Sequence, residues 1–497
     1  MPSQQPALFD LNDPVSERVL RDMNPWWQGL PVPQLQPFRR WAFPVLQRGL
    51  RSQLAPVVVL RGPRQVGKST LQTQVIDDLL RSGVDPKHIL RVQFDDIKAL
   101  HRREQPILEI VYWYTDHILG EPLAATPGRT VYLFLDEVQN LRDWAPQIKH
   151  LVDLQPVRAM VTGSSALRIE AGRDSLAGRI QTLELGPLFL REIVALRGLG
   201  ELAAFHPPNG LGPLKSKDFW LALRVFGQEN KALRDQAFAL FSERGGYPVA
   251  HKSADEPWER VADQLVETVV RRAIQHDLRM GSRGVKRDEN LLEEVFKLAC
   301  RYVGQSPKQA TYLDEVRRAL DANLGWTRVL QYLKFLDGAL LVRLIQPLEL
   351  RLKKNKSPAK LVLSDHSLRA AWLQEVVPID APGLELAPHL SDLAGRIAES
   401  VVGQFFKSIV NLDVAYFPER SAEPEVDYVL TVGEQRIPVE VKYRRRVDHA
   451  DTRGLRAFIE KAHYNAPFGL LVTLNDEPTN DDPRIVSMPL STLLLMR

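Results

Sequence analysis

A short glycine-bounded segment near the start of the chain has the composition and spacing of a loop that binds phosphate groups. It consists of Gly62, Pro63, Arg64, Gln65, Val66, Gly67, Lys68, Ser69 and Thr70, and it follows the apolar run 56–60. Its glycines let main-chain N–H groups approach phosphate oxygens, and a following helix adds positive potential at its N-terminus. Lys68 is placed to reach the β- and γ-phosphates of a nucleotide, and the Ser69 hydroxyl to hold Mg²⁺. The segment therefore predicts a site for ATP with Mg²⁺.

Two adjacent acids, Asp136 and Glu137, end the next strongly apolar run, 130–135. Asp136 is placed to complete the Mg²⁺ shell, which is the Walker B role. Glu137 suits the base that polarises water for attack on the γ-phosphate. The two acids thus predict hydrolysis of the bound nucleotide as well as binding.

The elements expected around these motifs form a parallel α/β layer. Strands are predicted at 56–60, 88–94, 130–136 and 158–162, and the apolar spacing within 68–81 predicts a helix. A strand at 88–94, between the loop and the Walker B strand, is typical of the P-loop ATPases that place an extra strand there. The strand 158–162 leads to Ser164, which we predict to sense the γ-phosphate. A helix N-cap is the alternative role for Ser164.

A second group of residues, near the other end of the chain, could bind a metal ion and cut a phosphodiester. Asp427 begins one predicted strand, and Glu440 and Lys442 share one side of the next because side chains alternate along a strand. Two carboxylates can share a hard cation such as Mg²⁺, while Lys442 orients or deprotonates water. Glu399, on a helix predicted at 391–407, could complete the ligand set.

The sequence of the segment between these two sites predicts a helical lid followed by a DNA-binding module. Helices are predicted at 290–303, 313–320 and 327–336 and a strand at 339–345, an order that suggests a winged helix. A basic run follows at the tip of a hairpin: Arg351, Lys353, Lys354, Lys356 and Lys360. These residues are predicted to contact DNA phosphates; a solvated loop without a ligand is the alternative.

The ordered set GPRQVGKST, FLDEVQN with Trp144, VTGSS, SLAGR and PLFLRE resembles bacterial and archaeal AAA-type ATPases that carry a DUF4143 C-terminal region. The resemblance covers most of residues 36–497. It implies that Arg179 faces nucleotide, as an arginine finger across a subunit boundary, although a surface arginine paired with Asp174 or Glu184 fits the sequence equally well. The turn Gly-Gly-Tyr-Pro that ends at Pro248 resembles the G-x-P turn of related signalling ATPases, which implies that Pro248 lies near the adenine; by itself that turn indicates only a chain reversal.

The C-terminal pattern of a helix glutamate, Glu-Val-Asp and Val-Glu-Val-Lys resembles the restriction-endonuclease-like PD-(D/E)xK fold, with Val426 at the position of the proline. The resemblance implies a metal-dependent nuclease site made of Glu399, Asp427, Glu440 and Lys442. A nuclease fold retained for binding or packing, without cutting, is the alternative, because fold does not imply function.

Composition narrows the class of protein. The chain has a single cysteine, Cys300, which excludes an intramolecular disulfide and suits a reducing compartment. It contains no apolar run of the ~18–20 residues that span a bilayer and no N-terminal signal pattern, so we expect a cytoplasmic protein without a membrane partner. The net charge of +4 requires that any DNA contact come from local basic patches.

These observations predict an α/β protein: a P-loop AAA-type ATPase with a helical lid, a winged-helix domain and a C-terminal PD-(D/E)xK nuclease-like α/β domain. The expected boundaries are 1–35 for an N-terminal extension, 36–199 for the ATPase core, 200–260 for the lid, 261–385 for the winged helix and 386–497 for the nuclease-like domain. The expected function is ATP hydrolysis coupled to remodelling or processing of structured DNA, by a homo-oligomer such as a hexamer. The alternatives are a nucleotide-switched signalling or defence protein with an inactive nuclease-like interaction module, and a C-terminal module that serves only oligomerisation.

Overall fold

The structure is a computed structural model of the 497-residue chain. It describes residues 14–497 apart from 53, 98–99, 101–102, 124–128, 142, 164–173, 207–209, 279–287, 322, 350–356, 420–422 and 477–481. The chain divides into two compact units, Met1–Leu185 and Gly186–Arg497. The finer boundaries at 35, 199, 260 and 385 stay predictions.

A five-stranded parallel sheet forms the centre of the first unit. Its strands are β1 (Val57–Arg61), β2 (Ile89–Gln93), β3 (Val131–Asp136), β4 (Val157–Gly163) and β5 (Ile180–Glu184), in the order β2-β3-β4-β1-β5. The helices of this unit are Pro14–Met23, Phe43–Arg51, Lys68–Arg81, Pro106–Tyr114 and Trp144–Leu154. The predicted α/β layer with a parallel sheet is confirmed.

The strand that separates β1 from β3 is β4, which pairs with both of them. β2, which precedes β3 in sequence, lies instead at the edge of the sheet, where it pairs with β3. The predicted strand at 88–94 is thus present as β2, and the strand that lies between β1 and β3 across the sheet is β4. Order along the chain does not fix order across a parallel sheet, because each crossover can skip a strand.

Side chains of the N-terminal segment cover the free edge of β2. The fully buried Asn24 donates from Nδ2 to the carbonyl of Arg91 at 2.8 Å, and its Oδ1 accepts the Arg91 N–H at 2.6 Å. The indole N–H groups of Trp26 and Trp27 both donate to the Ile89 carbonyl, at 3.0 and 2.9 Å. These contacts satisfy main-chain groups that an edge strand would otherwise leave unpaired.

The second unit begins with helices and ends in a mixed sheet. Its helices are Leu190–Leu196, Lys217–Glu229, Lys231–Arg244, Pro248–Lys252, Trp258–Leu265, Arg272–Leu278, Glu289–Arg301, Gln309–Leu320, Trp326–Gly338, His366–Leu373, Ala381–Leu386, Ser391–Lys407, Arg453–Ile459 and Leu490–Leu493. The helices predicted in the lid segment and after residue 289 are thus present. In the part of the chain that the structure describes, no helix is long and apolar enough to cross a membrane.

Three of these helices precede a two-stranded antiparallel hairpin. After Glu289–Arg301, Gln309–Leu320 and Trp326–Gly338 come β6 (Val342–Ile345) and β7 (Lys360–Leu363). The helical faces are apolar: Leu291, Leu292 and Val295 are fully buried. This order of elements agrees with the predicted one.

The C-terminal sheet has the order β12-β11-β10-β9-β8. Its strands are β8 (Asp413–Phe417), β9 (Val426–Val432), β10 (Gln435–Lys442), β11 (Gly469–Thr473) and β12 (Ile485–Pro489). β8, β9 and β10 form an antiparallel meander, whereas β11 runs parallel to both β10 and β12. The helix Ser391–Lys407 precedes the meander and Arg453–Ile459 follows it, so that Glu399, Asp427 and Glu440 come from three different elements: that helix, β9 and β10.

The connection after β6 joins the edge of this sheet. The Leu348 N–H donates to the Tyr416 carbonyl at 2.7 Å, and the Tyr416 N–H donates to the Gln346 carbonyl at 3.1 Å. The residues just after β6 therefore extend the C-terminal sheet beside β8. A parallel bridge between Pro347 and Tyr416 joins this connection to β8, while β6 and β7 form a separate two-stranded sheet.

The edge contacts of Asn24 give a stability prediction. Asn24→Ala leaves the partly buried Arg91 N–H and carbonyl without these partners, which should lower the free energy of unfolding of the first unit by roughly 1–3 kcal/mol. Urea titration followed by tryptophan fluorescence measures this, because Trp26 and Trp27 lie in the same segment. Gln28→Ala, at an exposed position four residues away, is the control; equal loss in both variants would contradict a role for the edge contacts.

Candidate functional site

The glycines of the phosphate-binding loop are required by close approach and by backbone conformation. A Cβ added to Gly62 would lie 2.2 Å from the carbonyl oxygen of Leu185. Gly67 has a φ of +93°, in the left-handed region that favours glycine, and it immediately precedes the helix Lys68–Arg81. β1, the loop and this helix thus form the strand–loop–helix unit that the motif needs.

Lys68 is drawn inward against the loop. Its side chain is buried, and Nζ donates to the carbonyls of Gly62 and Pro63, each at 2.9 Å. Arg40, also buried, donates from Nη1 to the Val66 carbonyl at 2.9 Å and so braces the loop from the N-terminal side. The loop is therefore shaped by two cations that act on its main-chain oxygens.

Asp136 is the buried centre of the site. It is 1% exposed, accepts a hydrogen bond from the Ser69 hydroxyl at 2.7 Å, and accepts another from the Thr162 hydroxyl. Burial raises the pKa of Asp136 above its ordinary value, and the neighbouring Glu137 raises it further. Hydroxyl and carboxylate oxygens are the ligands that Mg²⁺ prefers, so this donor set fits the predicted ion.

Thr162 is a residue of this site that the sequence prediction missed. It lies near the end of β4, the strand that separates β1 from β3, so its hydroxyl reaches the carboxylate at the end of β3. The available signal was its position at the end of the predicted strand 158–162, because the carboxyl ends of parallel strands meet at the same edge of a sheet. Ser164, the predicted sensor, lies outside the described residues, and its role stays a prediction.

Glu137 adopts an uncommon backbone conformation. Its φ of 57° and ψ of 39° are left-handed, which costs a non-glycine residue about 1–3 kcal/mol. The Gln139 amide donates to its Oε2. A left-handed residue directly after β3 turns the chain sharply, so Asp136 and Glu137 leave the strand end in different directions.

Arg179 lies at the amino ends of the strands, whereas the loop of its own chain lies at their carboxyl ends. It immediately precedes β5, and its carbonyl accepts the N–H of Val57 at the start of β1, whereas the loop follows the far end of β1. The strand between them spans roughly 13 Å. Its guanidinium forms an ion pair with Asp153, and this hydrogen bond raises the pKa of Arg179.

The predicted alternative partners of Arg179 were Asp174 and Glu184. Glu184 pairs with Arg61 at 3.1 Å instead, and the side chain of Asp174 is not among those described. Arg179 thus forms a surface ion pair, but with a partner from the helix Trp144–Leu154 that sequence proximity did not reveal. The role of Arg179 as an arginine finger stays a prediction.

Pro248 begins the helix Pro248–Lys252 of the second unit. The turn before it is held by Asp365, whose Oδ2 accepts the Gly246 N–H at 2.8 Å. A Cβ at Gly245, where φ is +69°, would lie 2.1 Å from Asp365 Oδ1. The turn is therefore fixed within its own unit, and a position of Pro248 near the adenine stays a prediction.

The four predicted nuclease-like residues do converge. Asp427 Oδ2 accepts a hydrogen bond from the N–H of Val441 at 2.9 Å. This contact places Asp427 beside Glu440. Lys442 Nζ donates to Glu440 Oε1 at 2.6 Å, while Glu440 Oε2 is buried without a hydrogen-bond partner. Asp427 and Glu399 both contact a further residue, Lys360.

The position of Lys360 corrects its prediction as a DNA contact. Its side chain is 1% exposed, and Nζ forms ion pairs with Glu399, with Glu425 at 3.4 Å and with Asp427 at 3.4 Å. It begins β7 and lies within an acidic cluster, and a cation buried there is stabilised by the carboxylates around it. The other members of the predicted basic tip, Arg351, Lys353, Lys354 and Lys356, lie outside the described residues.

Burial and mutual repulsion set the protonation of this cluster. Burial raises the pKa of Glu399 well above its ordinary value, and Asp427 raises it further. Burial likewise raises the pKa of Glu440 to about 8, again with a contribution from Asp427. Burial alone would lower the pKa of Lys360, but Glu399 and Asp427 outweigh it and hold that pKa well above the ordinary value.

The cluster does not fit the metal ion that the nuclease resemblance implies. Among the described residues, no group of three or more histidine, cysteine, aspartate or glutamate side chains is arranged to hold a metal ion. Glu399 and Asp427 face the Lys360 ammonium, and Glu440 faces that of Lys442. Carboxylates engaged by ammonium groups are not offered together to one cation.

Three protein-family models match successive parts of the chain. An AAA domain matches residues 55–194, a domain of unknown function (DUF8612) matches 236–376, and a second one (DUF4143) matches 394–493. The chain therefore contains an AAA domain and a DUF4143 domain, as the motifs predicted. The nuclease-like interpretation of the C-terminal domain stays a prediction.

Several proteins with similar sequences are described as uncharacterized proteins. Rv2008c of Mycobacterium tuberculosis is 24% identical over 410 residues, which cover 81% of this chain and 74% of that protein. An uncharacterized protein of Haemophilus influenzae is 24% identical over 317 residues, 63% of this chain and 68% of that one. MJ1637 of Methanocaldococcus jannaschii is 29% identical over 140 residues, 28% of each chain.

Solved structures with some likeness include the Walker-type ATPase PABY2304 of Pyrococcus abyssi. Its TM-score is 0.39 at 12% identity, with 69% of this chain and 98% of that chain covered. Cdc6p from Pyrobaculum aerophilum gives a TM-score of 0.26 at 13% identity, with 71% and 97% covered. These scores are too low to support an argument about function.

The loop and Glu137 give a prediction in which one substitution affects nucleotide binding and another affects hydrolysis. Lys68→Ala removes the ammonium that the loop holds, so nucleotide binding should weaken strongly. Glu137→Gln keeps the shape but removes the base, so ATP should bind while turnover falls by about 10²–10⁴-fold. Binding of a fluorescent ATP analogue and phosphate release measure the two effects. Glu121→Gln, at an exposed position, is the control; near-normal turnover of Glu137→Gln would remove Glu137 from the catalytic role.

The position of Arg179 predicts complementation between subunits. Arg179→Ala and Lys68→Ala proteins should each have little activity, but mixed oligomers should regain some, because certain interfaces pair an intact loop with an intact arginine. An arginine finger contributes about 10³-fold or more where one is established. Phosphate release by the mixture measures the recovery, with Arg81→Ala, an exposed arginine, as the control for Arg179→Ala. No recovery in verified mixed oligomers would argue against a finger.

Proposed function

We propose that this chain is a DNA-binding ATPase that couples hydrolysis of ATP to the remodelling of structured DNA, including branched DNA. The observation that carries the proposal is the junction of Ser69, Asp136 and Thr162 beside the inward-facing Lys68. It joins a phosphate-binding loop to a Walker B carboxylate across three neighbouring strands. The AAA-domain match over 55–194 supports the same assignment.

Each residue of the site has a separate task in hydrolysis. Lys68 neutralises charge on the β- and γ-phosphates, and the loop N–H groups orient them. Ser69 and Asp136 would hold Mg²⁺, which offsets charge that develops on the phosphate oxygens. Glu137, placed just beyond the end of β3, orients and polarises the attacking water. The chemistry needs little more than positioning and charge, because phosphoryl transfer has a loose transition state.

An assembly of several copies follows if Arg179 acts on nucleotide. Because Arg179 lies at the end of the strands opposite to the loop, we expect it not to complete the site of its own chain. Its exposure and its ion pair with the partly exposed Asp153 leave it able to exchange partners at an interface. We therefore propose a homo-oligomer, such as a hexameric ring.

DNA contact is proposed for the segment Glu289–Leu363. Three helices followed by the antiparallel pair β6–β7 have the order of a winged helix, in which helices enter a groove and a hairpin contacts phosphates. The sequence between the two strands is basic and contains no acid from Arg351 to Lys360. Burial of Lys360 removes one cation from that surface and leaves four as candidates.

A second candidate function is a nucleotide-switched protein whose C-terminal domain recruits partners without cutting DNA. The order of helix, three-stranded meander, helix and strand over 391–473 supports a PD-(D/E)xK-like domain. The pairing of Glu440 with Lys442 favours a structural use of that domain, because both groups are then engaged with each other. In either case the fully buried Cys300 suits the reducing cytoplasm.

The rate of ATP hydrolysis in the presence of DNA tests the proposal and separates the two candidates. We expect single-stranded, duplex or four-way-junction DNA to stimulate phosphate release, with the junction as the strongest activator. An unchanged rate with every DNA, together with tight retention of nucleotide, would support the nucleotide-switched protein instead. Glu137→Gln serves as the inactive control for phosphate release.

The basic tip predicts the salt dependence of DNA binding. Replacing Lys353, Lys354 and Lys356 by alanine removes up to three phosphate contacts, so the slope of log K against log[salt] should fall by about three units at most. Fluorescence anisotropy over a salt series measures the slope. Alanine at the exposed Lys215, Lys252 and Lys407 removes the same charge elsewhere. An unchanged slope in the tip variant would move the contact surface to another part of the chain.

A further inference from the structure

We infer that the ammonium of Lys360 is the permanent cation of the C-terminal carboxylate cluster, taking the place that a divalent metal ion holds in a metal-dependent nuclease. The C-terminal domain is then complete without metal and does not cut DNA. This inference concerns the second unit alone and does not depend on the proposed ATPase activity.

The contacts of Nζ come from the helix and from the first residues of β9 and the segment just before it. Glu399, from the helix Ser391–Lys407, forms the shortest ion pair with it. Asp427, at the start of β9, contributes both its carboxylate at 3.4 Å and its carbonyl at 3.3 Å. Glu425, two residues earlier and more exposed, adds a carboxylate at 3.4 Å. One cation therefore gathers the oxygens of the helix and of the neighbouring strand.

Aromatic rings occupy other directions around the same atom. Nζ lies 5.4 Å from the ring centre of Tyr416 and 5.2 Å from that of Tyr428. The Tyr428 hydroxyl donates to the Glu399 carbonyl at 2.8 Å, which fixes its ring beside the cluster. Ring faces attract an ammonium, whereas Mg²⁺ requires six oxygen ligands close to octahedral geometry. The surroundings therefore suit an organic cation.

The main chain on either side of Lys360 holds it in this place. Lys360 pairs with Ile345 of β6, and the N–H of Leu361 donates to the Gln305 carbonyl at 2.8 Å. The N–H of Leu363, at the other end of β7, donates to the hydroxyl of Ser400 at 3.0 Å. Ser400 adjoins Glu399, so the strand that carries the lysine is bonded to the helix that carries its strongest partner. Lys360 is thus built into the cluster by tertiary structure.

The remaining predicted ligand is engaged by a second lysine. Glu440 Oε1 accepts from Lys442 Nζ at 2.6 Å. A lysine that activates water must turn its amine toward the scissile phosphate, and Lys442 turns it toward the neighbouring carboxylate. The two lysines therefore divide the acidic residues between them.

Metal binding by the chain with Lys360 intact and by its Lys360→Met variant tests the inference. Methionine keeps the length and packing of the chain but removes the charge. Thermal unfolding is measured in EDTA and in millimolar Mg²⁺ or Mn²⁺, and Mn²⁺ binding is measured by electron paramagnetic resonance without nucleotide. All proteins carry Lys68→Ala and Asp136→Asn, so that the loop site does not contribute.

We expect the wild-type cluster to bind no Mn²⁺ and to unfold at the same temperature with and without metal. Lys360→Met should unfold at a lower temperature, whereas Lys407→Met, at the exposed end of the helix that carries Glu399, should not. If the destabilised variant also gains one Mn²⁺ site that Asp427→Asn abolishes, the lysine and the metal occupy the same position.

Three results would overturn the inference. The first is a Mn²⁺ site in the background with Lys360 intact that Asp427→Asn removes. The second is metal-dependent DNA cleavage by the otherwise unmodified chain that Asp427→Asn abolishes. The third is unchanged thermal stability of Lys360→Met. If Lys360→Met does not fold, Lys360→Arg, which keeps the charge, is tested in its place. Folding of Lys360→Arg supports the cation role. Failure of Lys360→Arg to fold, together with a Mn²⁺ site in the chain with Lys360 intact, refutes that role.

Discussion

The buried carboxylate of Asp136 is the interaction on which the first unit depends. An aspartate with 1% exposure is stable only when its oxygens are paired, and the hydroxyls of Ser69 and Thr162 supply two hydrogen bonds. Those hydroxyls belong to the helix after β1 and to β4, so one side chain at the end of β3 ties three neighbouring strands together at their carboxyl ends. The alignment of the phosphate-binding loop with the Walker B strand follows from this requirement.

The second unit meets the same constraint with the opposite arrangement of charge. There a buried cation, Lys360, is paired with several carboxylates, and removing either partner would leave an uncompensated charge in a low-dielectric interior. The first unit uses neutral hydroxyls, which a divalent ion can join as a further ligand. The second uses an ammonium, which occupies the position itself. The same residue type, a buried carboxylate, is therefore paired with neutral hydroxyls in one unit and with an ammonium in the other.

Local sequence was sufficient for elements whose pattern is long and periodic. The helix 68–81, the helix 391–407 and the strand 426–432 agree with their predicted bounds, because each buries a regular apolar face. The loop glycines and the pair Asp136–Glu137 were also identifiable, since their spacing is dictated by the phosphate and by the strand end. The convergence of Asp427 with Glu440 followed from strand alternation and the meander.

What the sequence did not reveal depends on contacts between distant segments. Lys360 is the last member of a basic run, and nothing in the sequence of that run distinguishes it from the other basic residues. Its partners lie 39 and 67 residues further along the chain. The partner of Arg179 was missed for the same reason, since Asp153 comes from another element. The edge position of β2 was likewise a matter of crossover topology, which apolar spacing does not encode.

The cluster around Lys360 also bears on how such chains are inherited. The lysine lies within the DUF8612 match, 236–376, whereas Glu399 and Asp427 lie within the DUF4143 match, 394–493. A single electrostatic unit is therefore split between two segments that are recognised separately by sequence. A gene that kept the DUF4143 segment but exchanged or lost the one before it would have to supply another positive charge, from a different side chain or from a metal ion. The two segments are thus expected to recombine as one piece, so that the cation and its carboxylates stay together.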